Sequence, residues 1–152
     1  MTDNFQRVGS ASNAHVGRDF AAVAAQILLE RGITVEPEVS VPVGIGPTKK
    51  NHSFDLGSEK PPTLVECKSH SWTVGGNVPS AKMTVWNEAM YYFLAAPQHY
   101  RKILFVLRDA RANSGETLAQ YYVRTYTHLI PDGVEVWEYD ERAGKIEVVH
   151  GA

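Results

Sequence analysis

The sequence predicts a mixed α/β (α+β) domain in which helices flank one central mixed sheet. Two observations support this fold class. Segments with apolar residues at helical spacing alternate along the chain with short apolar or alternating runs that are typical of strands. The chain has 152 residues, of which 43% are hydrophobic, and this suffices for one domain with its own core. We therefore assign residues 15–152 to a single domain, preceded at 1–14 by a flexible arm with the small polar stretch GSASNA.

The first half of the chain predicts one helix and three strands. Apolar residues recur at helical spacing from Gly17 to Gly32, and the final glycine is a typical helix end. Residues 33–43 alternate in hydrophobicity but contain two prolines, which indicates an edge strand or a bent strand. Two further apolar runs within 53–73, joined by the turn-rich segment GSEKPPT, predict a β-hairpin.

The second half predicts two helices, a buried strand and a closing hairpin. A helix is expected from Ala81 to about Ala95, with Ser80 as its N-cap. The run KILFVL at 102–107 is typical of a buried central strand. A third helix, starting at Ser114 or Glu116, leads to Leu129, and the last strands form a hairpin.

Composition limits the classes of function that the chain can have. The net charge is −2 and the isoelectric point about 6.3, so the chain as a whole is not basic. Residues 49–82 nevertheless contain five lysines against three acids, so a polyanion would be met locally. A single cysteine, Cys67, excludes an internal disulfide. No apolar run approaches the ~20 residues that span a bilayer, so we expect a soluble, cytoplasmic protein without a membrane partner.

The predicted hairpin places charged residues on one side of a strand pair. If Asp55 faces Glu66, the numbers of opposed residues sum to 121, and side chains alternate between two faces. One face is then apolar, with Phe54, Leu56, Val65 and Cys67, and the other is polar, with Asp55, Glu66, Lys68 and His70. Opposed like charges destabilise a sheet, so this pair of carboxylates calls for a cation, and a hard divalent ion suits oxygen ligands.

Two carboxylates beside a lysine suit the hydrolysis of a phosphodiester. The carboxylates can hold Mg²⁺, which polarises a phosphoryl group and lowers the pKa of a bound water, while the ammonium group orients that water or offsets charge on the phosphate. The alternative interpretation is a surface hairpin in which Asp55, Glu66 and Lys68 form an exposed ion pair of little energetic value.

Asp55, ten intervening residues and then Glu66-Cys67-Lys68 resemble the signature of the PD-(D/E)xK nuclease superfamily. The order of predicted elements is similar to the αβββαβ core of that family, the restriction-endonuclease-like fold. The resemblance implies Mg²⁺-dependent cleavage of DNA, in which Mn²⁺ can substitute. It implies Asp55, Glu66 and the Cys67 backbone carbonyl as metal ligands, and Lys68 at the nucleophile. Phe54 stands where the family usually has proline.

The resemblance also implies residues outside the hairpin. An acid of the first helix is frequent in the family, and the candidates are Asp19 or, if the helix faces otherwise, Glu30. Contacts with DNA are expected from basic and polar residues near the site, namely Lys49, Lys50, His70 and Lys82.

These observations predict a small restriction-type endodeoxyribonuclease whose partner is DNA. A homodimer would place two sites on the two strands of a duplex. The alternatives are a structure-directed repair or recombination nuclease, and a catalytically silent module of the same fold that binds nucleic acid or a protein.

Overall fold

The computed structural model describes residues 10–151, in which three α-helices and a six-stranded mixed sheet form. The elements in chain order are α1 (Ser10–Glu30), β1 (Glu36–Val43), β2 (Lys50–Glu59), β3 (Pro62–Lys68), α2 (Ser80–Ala95), β4 (Arg101–Leu107), α3 (Leu118–Tyr126), a 3₁₀ turn (Thr127–Leu129), β5 (Val134–Asp140) and β6 (Lys145–His150). Residues 10–14 of the predicted arm therefore belong to α1, and residues 1–9 lie outside the described part.

The sheet follows the chain, in the spatial order β1-β2-β3-β4-β5-β6. The three strands in its centre, β3, β4 and β5, are parallel to one another. The outer pairs β1-β2, β2-β3 and β5-β6 are antiparallel. The predicted class, a mixed α/β domain on one sheet, is confirmed at this level. The run 102–107 lies in β4, which is buried along almost its whole length, as the sequence predicts.

Helices cover both faces of the sheet, and each face has its own apolar cluster. On one face, α1 packs through Phe20, Ala24 and Leu28 against the sheet, in a cluster that includes Val65 and Phe105. On the other face, α2 and α3 form a larger cluster around two aromatic residues, Trp86 and Tyr122. The sheet is therefore the middle layer of three, as expected for strands that are apolar on both sides.

The hairpin turn is shorter than the sequence predicts. Strand β2 continues to Glu59 and β3 begins at Pro62, so most of GSEKPPT is strand. A glycine occupies position 57 within β2 because the neighbouring strand β1 lies very close to it. A Cβ at this glycine would lie 2.8 Å from the Cβ of Val39, which leaves no room for a side chain.

The N-caps of the helices differ from the prediction. Ser80 is the first residue of α2 and not its cap; the cap position is Pro79, without a side-chain hydrogen bond. The N-cap of α3 is Thr117, which forms a capping box with Gln120. Helix α3 therefore begins a little later than Ser114 or Glu116.

In β2, the apolar side chains on the two sides of Asp55 pack on opposite faces of the sheet. Phe54 packs on the α2 side, where it stacks on Phe93 with ring centroids 5.7 Å apart, whereas Leu56 packs on the α1 side. The prediction that Phe54 shares a face with Leu56 is therefore wrong. The register of β1 and β2 is continuous except at Glu38 and Asp55, and Glu38 has a φ of 53°, in the left-handed region. The backbone is rotated locally at Glu38 and Asp55, so Phe54 and Leu56 point to opposite faces of the sheet.

Candidate functional site

The paired part of β2 and β3 runs from the turn to Leu56, the residue next to Asp55. Its register pairs Leu56 with Val65, Gly57 with Leu64 and Ser58 with Thr63, which confirms the predicted register for these pairs, whereas Asp55 and Glu66 are not paired in the ladder. Beyond the first of these pairs, the carboxylate of Asp55 replaces a backbone acceptor, because its Oδ2 accepts a hydrogen bond from the Cys67 N–H at 2.8 Å. Asp55 is thereby held against the end of β3, beside Glu66.

Glu66 is a buried carboxylate that has an oxygen without a partner. The residue is 7% exposed, and its Oε1 atom has no hydrogen-bond partner. Burial, the largest cause, and the negative charge of Asp55 together raise the pKa of Glu66 to about 8, against the opposing effect of Lys68. The polar face that the sequence predicts is therefore not exposed to solvent at this residue. An ionised Glu66 requires a nearby cation.

Glu138 is the other described residue with buried carboxylate oxygens that lack hydrogen bonds. A positive charge lies near both carboxylates, since Arg108 Nε is 3.5 Å from Glu138 Oε2 and Lys68 Nζ is 3.9 Å from Glu66 Oε2. Burial also raises the pKa of Glu138. The acidic neighbours Glu147 and Asp140 raise it further, as Asp55 does for Glu66, so what distinguishes Glu66 is its place in the pattern of Asp55 followed by Glu66-Cys67-Lys68.

Two nitrogen groups flank the carboxylate of Glu66. Lys68 Nζ lies 3.9 Å from Oε2, and His52 Nε2 lies 3.9 Å from Oε1. Both distances are too long for direct hydrogen bonds. Lys68 is thus on the same side of β3 as Glu66, as the alternation of the strand predicts.

The residues at this site fit a divalent cation in part. No group of three or more His, Cys, Asp or Glu side chains in the described chain is arranged as a metal site. The donors that the resemblance implies are two carboxylates and one backbone carbonyl, that of Cys67. A cation would offset the negative charge of the buried Glu66 carboxylate beside Asp55. Burial raises the pKa of the Cys67 thiol, which suits an inert side chain rather than a thiolate ligand.

A groove between α1 and the outer strands lies beside Asp55. Its volume is about 790 Å³, and its α1 wall consists of Ala21, Ala22, Ala25, Gln26 and Leu29. The acids among the described lining residues are Asp55 and Glu38, and neither comes from α1. Asp19 is exposed on α1, next to the core residue Phe20, and Glu30 accepts a hydrogen bond from Gln26. The structure therefore does not bring either candidate acid of the first helix into this groove.

The basic residues predicted to contact DNA lie at two separate places. Lys82 is in the first turn of α2, where it and Lys68 act together on His70. Lys49 donates a hydrogen bond to the Gly44 carbonyl, and the Gly44 N–H is bonded to Ala95 at the other end of α2. A helix of 16 residues is ~24 Å long. Lys49 and Lys82 are therefore not parts of one small patch. Lys50 is exposed at the start of β2, opposite Val43.

His70 is fixed by a tryptophan of α2. Its Nδ1 accepts a hydrogen bond from Trp86 Nε1 at 2.9 Å. Burial, the largest cause, and the charges of Lys82 and Lys68 together lower the pKa of His70 to about 4. The imidazole is therefore neutral at pH 7, with its proton on Nε2, and this N–H is a donor close to both lysines.

The loop after β3 is attached to the segment after β4. Trp72 donates hydrogen bonds from its backbone N–H and from Nε1 to Asp109, at 2.9 and 3.0 Å. Arg111 lies over the Trp72 ring, 4.2 Å from its centroid, and donates to the Gly76 carbonyl. Trp72 is thus a packed anchor of the loop.

Sequence reasoning missed three residues of the site, namely His52, Tyr92 and Glu88. His52 lies beside Glu66, and its ring is stacked on Tyr92 of α2 at a centroid distance of 3.6 Å. Glu88, exposed on α2, acts electrostatically on both His52 and Glu66. Strand alternation in the predicted register would have put His52 on the face of Phe54, opposite Glu66, so the sequence gives no signal that places His52 at the site. Nothing local to α2 indicates that Glu88 faces the hairpin.

No known protein family, curated protein or solved structure matches this chain in our comparisons. In the described part of the chain, no helix is both long and apolar enough to cross a membrane.

Proposed function

We propose that the protein is a metal-dependent deoxyribonuclease of the PD-(D/E)xK type, with a restriction-endonuclease-like core. The observation that supports this most strongly is the buried Glu66 carboxylate, which has an unpartnered oxygen and a second carboxylate as its neighbour. Such a pair is unfavourable in an isolated protein and becomes favourable when a divalent cation is bound. The order of the elements α1 to β4 also agrees with the αβββαβ core that the resemblance implies.

Each residue of the trio has a distinct role in this proposal. Asp55 and Glu66 would hold Mg²⁺ or Mn²⁺ with their carboxylate oxygens, together with the backbone carbonyl of Cys67. The bound ion would supply Lewis-acid polarisation of the phosphoryl group and activation of the attacking water. Lys68 donates hydrogen bonds from Nζ to the attacking water or to a non-bridging phosphate oxygen, where negative charge increases.

The reaction is the hydrolysis of a phosphodiester. The oxygen of water forms a bond to phosphorus, one phosphorus–oxygen ester bond breaks, and the proton released from the water is transferred to the leaving oxygen or to solvent. The hydrogen bond from the Cys67 N–H keeps Asp55 in place during this reaction. His70 and Lys82 contact the phosphate backbone beside Lys68 in this proposal, since both lysines act electrostatically on His70.

DNA cleavage tests this proposal directly. The purified protein is incubated with linear, supercoiled and branched DNA, with Mg²⁺, Mn²⁺ or EDTA, and the products are separated on gels. We expect cleavage with either metal and none with EDTA. Discrete bands support a restriction-type enzyme, whereas cleavage confined to branched DNA supports a structure-directed nuclease.

Variants connect the activity with the site. Asp55→Asn, Glu66→Gln and Lys68→Met should each reduce cleavage by a factor of 100 or more, on the order of the loss of a positioned electrostatic group. The matched controls Glu36→Gln and Lys145→Met change exposed residues on other strands and should cut like the unchanged protein. DNA binding without any metal-dependent cleavage would instead identify a silent binding module.

A further inference from the structure

We propose that His52 is a positioning residue of this centre, which holds the Glu66 carboxylate in the orientation that binds the metal. The inference rests on the proposed function and adds a residue that the nuclease signature does not contain. The ring of His52 lies between Glu66 and α2.

The ring of His52 is held in place on two sides. It is stacked on Tyr92 with an interplanar angle of 10°, and it meets the ring of Phe54 edge to face at 4.7 Å. These contacts leave little freedom for the imidazole, although it is attached to an outer part of the sheet. A group held this firmly can fix the orientation of a neighbour.

The atom of His52 that faces the site is Nε2, and it is directed at the oxygen of Glu66 that has no partner. The separation of 3.9 Å from Oε1 exceeds a hydrogen bond, but a small rotation of the carboxylate or one bridging water closes it. With its proton on Nε2, the imidazole donates to Oε1. The other oxygen, Oε2, then remains on the Lys68 side for the cation.

An imidazole N–H can donate one hydrogen bond to the carboxylate, and a ring that carries no charge does not compete with the metal.

The test compares two substitutions that separate the donor from the ring. His52→Phe keeps a ring for stacking on Tyr92 and removes the N–H, whereas His52→Gln keeps an N–H donor and removes the ring. Mn²⁺ affinity is measured by calorimetry without DNA, and thermal unfolding is measured without metal. If His52 positions Glu66, the Phe variant should be as stable as the unchanged protein and bind Mn²⁺ about tenfold more weakly, while the Gln variant keeps most of the affinity.

The opposite pattern would overturn the inference. If His52→Phe binds Mn²⁺ like the unchanged protein, His52 serves only to pack against Tyr92. If His52→Gln loses as much affinity as His52→Phe, the donor is not what matters, and the inference also fails. Failure of the proposed function gives a different result, because the unchanged protein itself would then bind no Mn²⁺.

Discussion

Asp55 and Glu66 are adjacent carboxylates with different surroundings. Asp55 has a backbone donor, the N–H of Cys67, whereas Glu66 is buried with an unpartnered oxygen and a pKa raised to about 8. The sequence predicts their proximity correctly because strand alternation and the hairpin register are local properties. It does not predict the burial of Glu66, which depends on α2 and on the ring of His52, residues brought there by the tertiary fold.

The pH dependence of stability should reveal the burial of Glu66. Its folded-state pKa of about 8 exceeds its ordinary value of 4.5, so the stability that Glu66 contributes is full below about pH 4.5 and is lost as pH rises through 8. In the metal-free protein, the free energy of unfolding should therefore fall between pH 5 and pH 8.5. Glu66→Gln should remove part of this fall, on the order of a few kcal/mol. Urea unfolding of both proteins in EDTA provides the measurement, and parallel pH profiles would contradict it.

At the scale of the elements, the pairing of the hairpin β2–β3 could be predicted from the sequence, but the faces of its side chains could be predicted only in part. The pairing of Leu56 with Val65 follows from the apolar pattern. The face of Phe54 does not, because the rotation at Asp55 occurs together with the left-handed backbone of Glu38 in another strand. The strands also extend into GSEKPPT, and this depends on β1. Val39 of β1 lies so close to β2 that position 57 must be a glycine. Turn-forming residues can therefore occur within a strand for reasons of packing.

A side chain at Gly57 should force β1 and β2 apart. We expect Gly57→Ala to reduce the free energy of unfolding by about 1–3 kcal/mol, the usual effect of overpacking. The matched control is Gly75→Ala, because a Cβ there lies 3.7 Å from its nearest neighbour, an ordinary contact. Urea unfolding of both variants gives the comparison. Equal stabilities of the two variants would show that the strands accommodate the methyl group.

In the whole molecule, the mixed sheet with helices on both faces places the hairpin site and the loop after β3 close together. The class of fold could be predicted, because helical and strand patterns alternate clearly along the chain. The grouping of the basic residues could not, because proximity in sequence does not determine which end of α2 a lysine occupies. Lys82 lies near Lys68 and His70, whereas Lys49 is bonded to the loop at the far end of that helix.

DNA binding should depend on these lysines unequally. We expect Lys82→Gln to weaken binding to a duplex and to reduce the slope of log affinity against log salt concentration by ~0.9, the value for one lost phosphate contact. Lys49→Gln should have a smaller effect, because its ammonium group is already hydrogen-bonded to Gly44. Lys145→Gln, on the edge strand β6, is the control. Fluorescence anisotropy at several salt concentrations measures the slopes, and equal slopes for Lys82→Gln and the control would exclude Lys82 from the interface.

Release of a proton on metal binding tests the proposed centre most directly. At pH 7, Glu66 with a pKa of about 8 is mostly protonated, so a cation that binds its carboxylate must displace that proton. Mn²⁺ is titrated calorimetrically at pH 7 in two buffers with different ionisation enthalpies, which gives the number of protons released. We predict binding that releases about one proton in the unchanged protein and is largely lost in Glu66→Gln. Absence of binding, or binding that releases no proton and persists in Glu66→Gln, would contradict a metal centre at Asp55 and Glu66.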